Sequence, residues 1–154
     1  MDHVTVLCCS NMSGTDKRKL LVIGKSTKPR CFKGIRMESL LVQYYANKNA
    51  WMTSGIFKNW LMSWDMELQY KERKILLLVD NCAAHPHLDS LKNIKLDFLP
   101  PNTTSLVQPM DMGIITNLKT LYRGKLVNYI IEKNEEKLVT SSSTSKEISA
   151  KINI

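Results

Sequence analysis

Apolar residues along this chain come in short blocks whose period changes from one block to the next. Val4-Thr5-Val6-Leu7-Cys8-Cys9 is rich in β-branched and readily buried types and predicts a strand. The turn-forming cluster Asn11-Met12-Ser13-Gly14-Thr15-Asp16 follows, and Leu20-Leu21-Val22-Ile23 predicts a second strand. Two apolar strands around a short polar loop predict an antiparallel hairpin. Gly24 to Gly34 is basic, carries Pro29 and reads as a loop; Leu40 to Tyr45 predicts a short strand.

The period then becomes helical. Thr53 is placed as an N-cap, and Ile56, Phe57, Trp60, Leu61, Trp64 and Leu68 recur at the spacing of one helix face. That aromatic stripe is read as core packing. Lys71 to Lys74 is a charged break. Ile75-Leu76-Leu77-Leu78-Val79 has no alternation and predicts a strand buried on both faces, as in parallel sheets. His87 to Leu91 predicts a short helix, and Ile94 to Leu99 a further strand, ended by Pro100-Pro101. A long helix is predicted from near Pro109, with Ile114, Ile115, Leu118, Leu121, Tyr122, Leu126, Tyr129 and Ile130 on its apolar face. The Ser/Thr run Thr140 to Ser145 reads as a linker. The organisation is therefore α/β in one domain, with no internal repeat.

Composition changes this picture little, but charge adds to it. The chain has 154 residues, 44% of them hydrophobic and 23% charged, which is ordinary for a folded domain. No apolar run is long enough to span a bilayer, and the N-terminus lacks the layout of a secretory signal. Cys8, Cys9, Cys31 and Cys82 form no C-x-x-C pair and, with the histidines, no zinc-ligand spacing. They are expected to be reduced, mostly buried thiols in an intracellular protein. The net charge of +8 favours a polyanionic partner, although a solubility surplus explains it equally well.

Two carboxylates stand out by position. Asp80 ends the apolar run before it, and Asp111 falls in the first turn of the predicted long helix. Acids at such places suit a shared divalent-cation site, because strand ends of α/β sheets gather functional groups. The competing reading is local: Asp80 closes a turn, and Asp111 is a helix N-terminal acid.

The flanking residues bear on that choice. They read Val79-Asp80-Asn81-Cys82-Ala83-Ala84-His85, then Phe98-Leu99-Pro100-Pro101-Asn102-Thr103-Thr104-Ser105, then Gln108-Pro109-Met110-Asp111-Met112-Gly113. Upstream stand Val22-Ile23-Gly24-Lys25-Ser26, Lys28-Pro29-Arg30-Cys31-Phe32, Ala46-Asn47-Lys48 and Trp51-Met52-Thr53, with Phe57 and Trp60-Leu61. Collinear from about Val4 to about Lys133, this set resembles the DDE endonuclease domain of pogo/Tigger-type transposases in the mariner-like superfamily. Jerky proteins and centromere protein B are domesticated relatives of that family. The resemblance implies a ribonuclease H-like fold, a mixed sheet with flanking helices. It also implies Mg²⁺- or Mn²⁺-dependent DNA strand cleavage and transfer by three acids. Asp80 matches the second acid and Asp111 the third, as catalytic and metal-binding residues. Asn81 and His85 match the motif behind Asp80 and are assigned to orienting it, with a cap or packing role for His85 equally open.

The chain departs from the family in one respect. The first acid belongs on a central strand ahead of the segment matched by Val4 to Cys9, and that strand is missing here. Asp2 precedes the matched segment but does not fit the motif. The helix-turn-helix region of full-length relatives is missing too, and the end at Ile154 reads as premature. The expected organisation is a partial DDE domain over 1–137, a linker over 138–146 and a truncated element over 147–154. Among the basic residues, Lys25, Lys28, Arg30, Lys33 and Arg36 share one loop, and Lys119, Arg123 and Lys125 lie on the helix bearing Asp111. Lys28, Arg30, Lys119, Arg123 and Lys125 are the candidates for phosphate contacts, against a plain solvated surface. The expected function is a nuclear, DNA-binding, transposase-derived domain incomplete for catalysis. Self-association stays open, and no membrane or small-molecule substrate is expected. The alternatives are an active endonuclease whose N-terminal part lies elsewhere, and a domesticated protein-interaction module.

Overall fold

The computed structural model describes residues 3–101, 108 and 110–152, with side chains to residue 137. Strand β1 (Thr5–Leu7) pairs antiparallel with β2 (Leu21–Gly24), with Thr5 opposite Ile23 and Leu7 opposite Leu21. The polar cluster between them closes the hairpin as expected. Asn11 Oδ1 accepts from the Asp16 N–H at 3.0 Å, and Asn11 Nδ2 donates to Thr15 Oγ1 at 2.9 Å. Strand β3 (Gln43–Ala46) joins the other edge of β2 in parallel.

Helix α1 (Ser54–Tyr70) follows, capped by the Thr53 hydroxyl, which accepts from the Ile56 N–H at 3.3 Å. Its buried positions are Phe57, Trp60, Leu61, Trp64, Asp65 and Leu68, the expected stripe with one carboxylate added. The core joins this face to Leu21 and Ile23 of β2, Val79 and Ile94. Each large apolar side chain buried there contributes about 1.5–3 kcal/mol. The helix ends where Glu72 turns left-handed at φ 53°. The Arg73 N–H then reaches back to Leu68 O at 2.9 Å and the Glu72 N–H to Gln69 O at 3.1 Å, the bonding of a Schellman stop.

Strands β4 (Ile75–Val79) and β5 (Ile94–Phe98) pair in parallel, Ile75 opposite Ile94 and Val79 opposite Phe98. Residues 80–93 make the long connection that a parallel pair requires. The result is the expected mixed α/β architecture, with strands of a ribonuclease H-like sheet divided into a three-stranded and a two-stranded part. Among the described residues, β1 and β4 are each paired along one edge only.

Several expectations are corrected. Strand β4 is not buried on both faces: Leu76 is 57% and Leu78 54% exposed, because α1 covers one side while nothing described covers the other. Residues 87–91 are irregular, with a turn at 89–90, rather than a helix. Pro86 stands before them, the His87 ring packs tilted against Phe98 with centroids 4.1 Å apart, and the chain bends at 92–93 into β5. The cysteines are not mostly buried: Cys31 and Cys82 are exposed, Cys8 and Cys9 half-buried, and all four are free thiols.

The chain divides into two compact units between Met112 and Gly113. The second is helical. Pro109 lies outside the described residues; Met110–Ile114 is a π-helical turn, broken at Gly113 with φ 144° and ψ −29°, and α2 (Ile115–Ile152) follows. That φ suits glycine alone without strain. The stretches 138–146 and 147–154, expected as a linker and a further element, fall on α2 as far as Ile152. Serine and threonine lower helix propensity by only about 0.5 kcal/mol per residue relative to alanine, so composition there does not forbid a helix.

Candidate metal centre

Asp80 leaves the carboxyl end of β4, and the next five residues fold back on it. The Cys82 N–H donates to Asp80 O at 3.2 Å and the His85 N–H to Cys82 O at 3.0 Å. This tight turn brings three side chains together. His85 Nδ1 lies 2.7 Å from Asp80 Oδ1 and 3.3 Å from Asp80 O. Donor atoms of Asp80, Cys82 and His85 all lie within 4.8 Å of one another, close enough to hold a metal ion. Among the described residues this is the one such group of three. His85 is held from behind by Phe57 of α1, ring centroids 4.1 Å apart, and its side chain is only 11% exposed. Asp80 is 31% exposed, and no described residue takes its second oxygen. One oxygen is thus fixed and the other unclaimed among the described residues.

Asp111 is placed differently. It is exposed in the π-helical turn, its N–H donating to Gln108 O at 3.0 Å, and it stands outside the Asp80 group. The segment 102–107, which carries most of the expected Pro-Pro-Asn-Thr-Thr-Ser loop, is outside the described residues. Asn81 is exposed next to Asp80. Lys28 and Arg30 are exposed in the loop after β2, Arg30 opening a short 3-10 turn (Arg30–Phe32). Lys119, Arg123 and Lys125 are exposed on α2.

Sequence reasoning passed over two residues here. Cys82 was read as one of a set of packing thiols, yet the spacing D-x-C-x-x-H contains the information that it joins Asp80 and His85. Asp65 was hidden inside the aromatic stripe. It is 7% exposed and accepts from the backbone N–H groups of Lys92, Asn93 and Ile94 at 3.2, 2.7 and 3.0 Å. Its carboxylate therefore ties the start of β5 to α1.

Other motif residues prove architectural. Asn47 Oδ1 accepts from the N–H groups of Asn49 and Trp51, both at 3.2 Å, and Asn47 Nδ2 donates to Trp51 O at 2.7 Å. This shapes the turn into α1, with Ala50 buried at φ 55°. Gly24 leaves room for Tyr44, which any added Cβ would strike. Tyr44 Oη donates to Ser26 O at 2.7 Å, and its ring meets Phe32 edge-on at 5.0 Å.

The comparisons with known proteins agree with this architecture. The sequence profile of the DDE superfamily endonuclease family matches residues 1–149, and the chain belongs to that family. More particularly, it is 41% identical to mouse (Mus musculus) Tigger transposable element-derived protein 4 over 95% of this chain and 26% of that protein. It is 35% identical to ARS-binding protein 1 of Schizosaccharomyces pombe, over 86% of this chain and 27% of that protein. Against the major centromere autoantigen B of Cricetulus griseus it is 34% identical, over 81% of this chain and 20% of that protein. The chain thus spans about a quarter of the length of these relatives. No solved structure matches it.

Proposed function

We propose that this chain is a DNA-binding part of a transposase-derived protein, in which Asp80 and Asp111 are the second and third acids of a DDE site for Mg²⁺ or Mn²⁺. The observation that carries this reading is Asp80 itself: a carboxylate at the carboxyl end of a parallel strand, one oxygen held by His85 and the other unclaimed by any described residue. His85 orients Asp80, and Asn81 beside it serves the same end. Oxygen donors suit Mg²⁺ and Mn²⁺, and ions of this kind stabilise the attacking and leaving oxygens of a phosphodiester. Asp80 and Asp111 are the two acids of such a site that lie within residues 1–154. Lys28, Arg30, Lys119, Arg123 and Lys125 supply phosphate contacts, consistent with their exposure and with the +8 charge. DNA as partner and a nuclear location follow from the same reading, and the relatives named for ARS binding and for the centromere support it.

The test pairs two titrations. Duplex DNA binding should weaken steeply as salt rises, and replacing Lys119 and Arg123 by alanine should flatten that slope by about two. No binding at low salt would overturn the DNA reading. Mg²⁺ and Mn²⁺ titrations of wild type and Asp80→Asn should differ, and identical curves would remove Asp80 from the metal site.

A further inference from the structure

Asp80, Cys82 and His85 offer one oxygen, one sulfur and one nitrogen, which is not the donor set of a magnesium site. Hard ions take oxygen ligands, whereas a thiolate beside an imidazole selects zinc and similar ions. We propose that these three residues form a second kind of site on the same turn, for a divalent cation of the zinc class.

The geometry supports it. A four-coordinate zinc ion with bonds of about 2.0–2.3 Å holds its ligands about 3.3–3.8 Å apart. The donor atoms lie within 4.8 Å of one another, so small side-chain rotations close the set. The ligands come from six consecutive residues whose turn is already fixed by the Cys82 and His85 N–H bonds. His85 is pinned against Phe57, which spares the site most of the cost of ordering that ring. Cys82 is exposed and free, so its sulfur is available to turn toward the ion. An ion entering between Asp80 Oδ1 and His85 Nδ1 replaces the hydrogen bond that now joins them; the Nδ1 proton is lost to solvent, and the neutral ring keeps its proton on Nε2. As the Cys82 sulfur–metal bond forms, the thiol proton leaves to solvent. Three protein ligands leave the fourth position to water, the pattern of an exchangeable ion rather than a sealed structural one.

The site shares Asp80 with the proposed magnesium site but does not rest on it. If both exist, they exclude each other, and zinc holds Asp80 away from any oxygen-liganded ion. Zinc occupancy would then silence the DDE carboxylate.

The experiment uses the full chain, reduced, with Co²⁺ and Zn²⁺ as probes. Wild type should show a sulfur-to-cobalt charge-transfer absorption that one equivalent of Zn²⁺ abolishes. Cys82→Ser should lack the band and bind Zn²⁺ at least about tenfold more weakly, a loss of about 1.4 kcal/mol or more. Cys31→Ser, at the other exposed cysteine, should keep both. Zn²⁺ should also slow alkylation of Cys82 by iodoacetamide while leaving Cys31 unaffected. Cobalt binding without the band, or equal zinc affinity in wild type and Cys82→Ser, overturns the proposal. Circular dichroism of Cys82→Ser checks that the fold is kept. Magnesium titrations separate the two readings. Zinc binding lost and magnesium binding kept in Cys82→Ser supports a thiolate site separate from the oxygen-liganded one. Zinc binding intact with no magnesium binding in wild type overturns only the oxygen-liganded reading.

Discussion

Two aspartates in the same compact unit are put to opposite uses. Asp65 sits inside a helix, 7% exposed, and its two oxygens accept from three backbone N–H groups at the start of β5. Asp80 sits at a strand end, 31% exposed by side chain, with one oxygen held by His85 and the other unclaimed by described residues. A carboxylate whose two oxygens both meet backbone donors is a joint. One with a fixed orientation and an oxygen unclaimed by described residues is placed to act as a ligand. The difference lies in what surrounds each acid, since the side chains are identical.

The largest test of this contrast is stability. Asp65→Ala strands three N–H groups, at least one of them buried, and should cost about 2–4 kcal/mol in urea unfolding. Asp80→Ala should cost only about 1 kcal/mol, one hydrogen bond's worth, because His85 Nδ1 keeps Asp80 O at 3.3 Å. Equal losses would dissolve the distinction.

Metal linkage tests the contrast from the other side. A divalent ion at about one hundred times its Kd should stabilise wild type by about 2.7 kcal/mol. In thermal melts that gain should vanish in Asp80→Asn, where Asp80 has lost its charge. Asp65→Asn, if it folds, should keep it; loss of the gain there would make Asp65 part of the site.

A smaller effect separates the joint from its surroundings. Glu72 holds a left-handed conformation that glycine adopts without penalty, so Glu72→Gly should stabilise the unit by about 1 kcal/mol and leave metal binding unchanged. A destabilised Glu72→Gly would mean that the Glu72 side chain supports the stop more than its backbone angle strains it.

The smallest is a pH effect on α1. The Lys71 hydrogen bond, with Arg18 beside it, lowers the Glu67 pKa below its ordinary value. A depressed carboxylate adds stability that is present above its unfolded pKa and lost as pH falls through the folded one. Glu67→Gln should therefore cost under about 1 kcal/mol at pH 7, since Glu67 is 39% exposed, and should match wild type once acid protonates Glu67. A difference that persists in acid would point to packing rather than charge.

Much of the unit was legible in the sequence. The hairpin, the Thr53 cap and the stripe from Phe57 to Leu68 follow from local period and capping chemistry, which need no partner to be read. The family resemblance implied one mixed sheet, and its division into a three-stranded and a two-stranded part was not legible, since strand pairing is non-local. Strand β4 shows the limit: a continuous apolar run is the same string whether one face or both are covered. The helix expected at 87–91 does not form; His87 packs against Phe98 instead, a tertiary contact that outweighs a short stretch's propensity. At the site, Asp80 and His85 were found by motif. Cys82 was missed because zinc-ligand patterns were sought in cysteine pairs and histidine clusters rather than in a mixed set. Burial separates the thiols further: it pushes Cys9 up to about 11, so alkylation at pH 8 should spare Cys9 while exposed Cys31 and Cys82 remain accessible.

The open face of β4 has a consequence for how this chain meets copies of itself. Ile75 to Val79 is five residues of high strand propensity without charge, on a strand with one edge unpaired among the described residues. Such segments template aggregation unless charges bracket them. Arg73 and Lys74 stand at one end and Asp80 at the other. Asp80 is thus also a gatekeeper, and an ion or substitution that cancels its charge leaves the segment guarded from one end only.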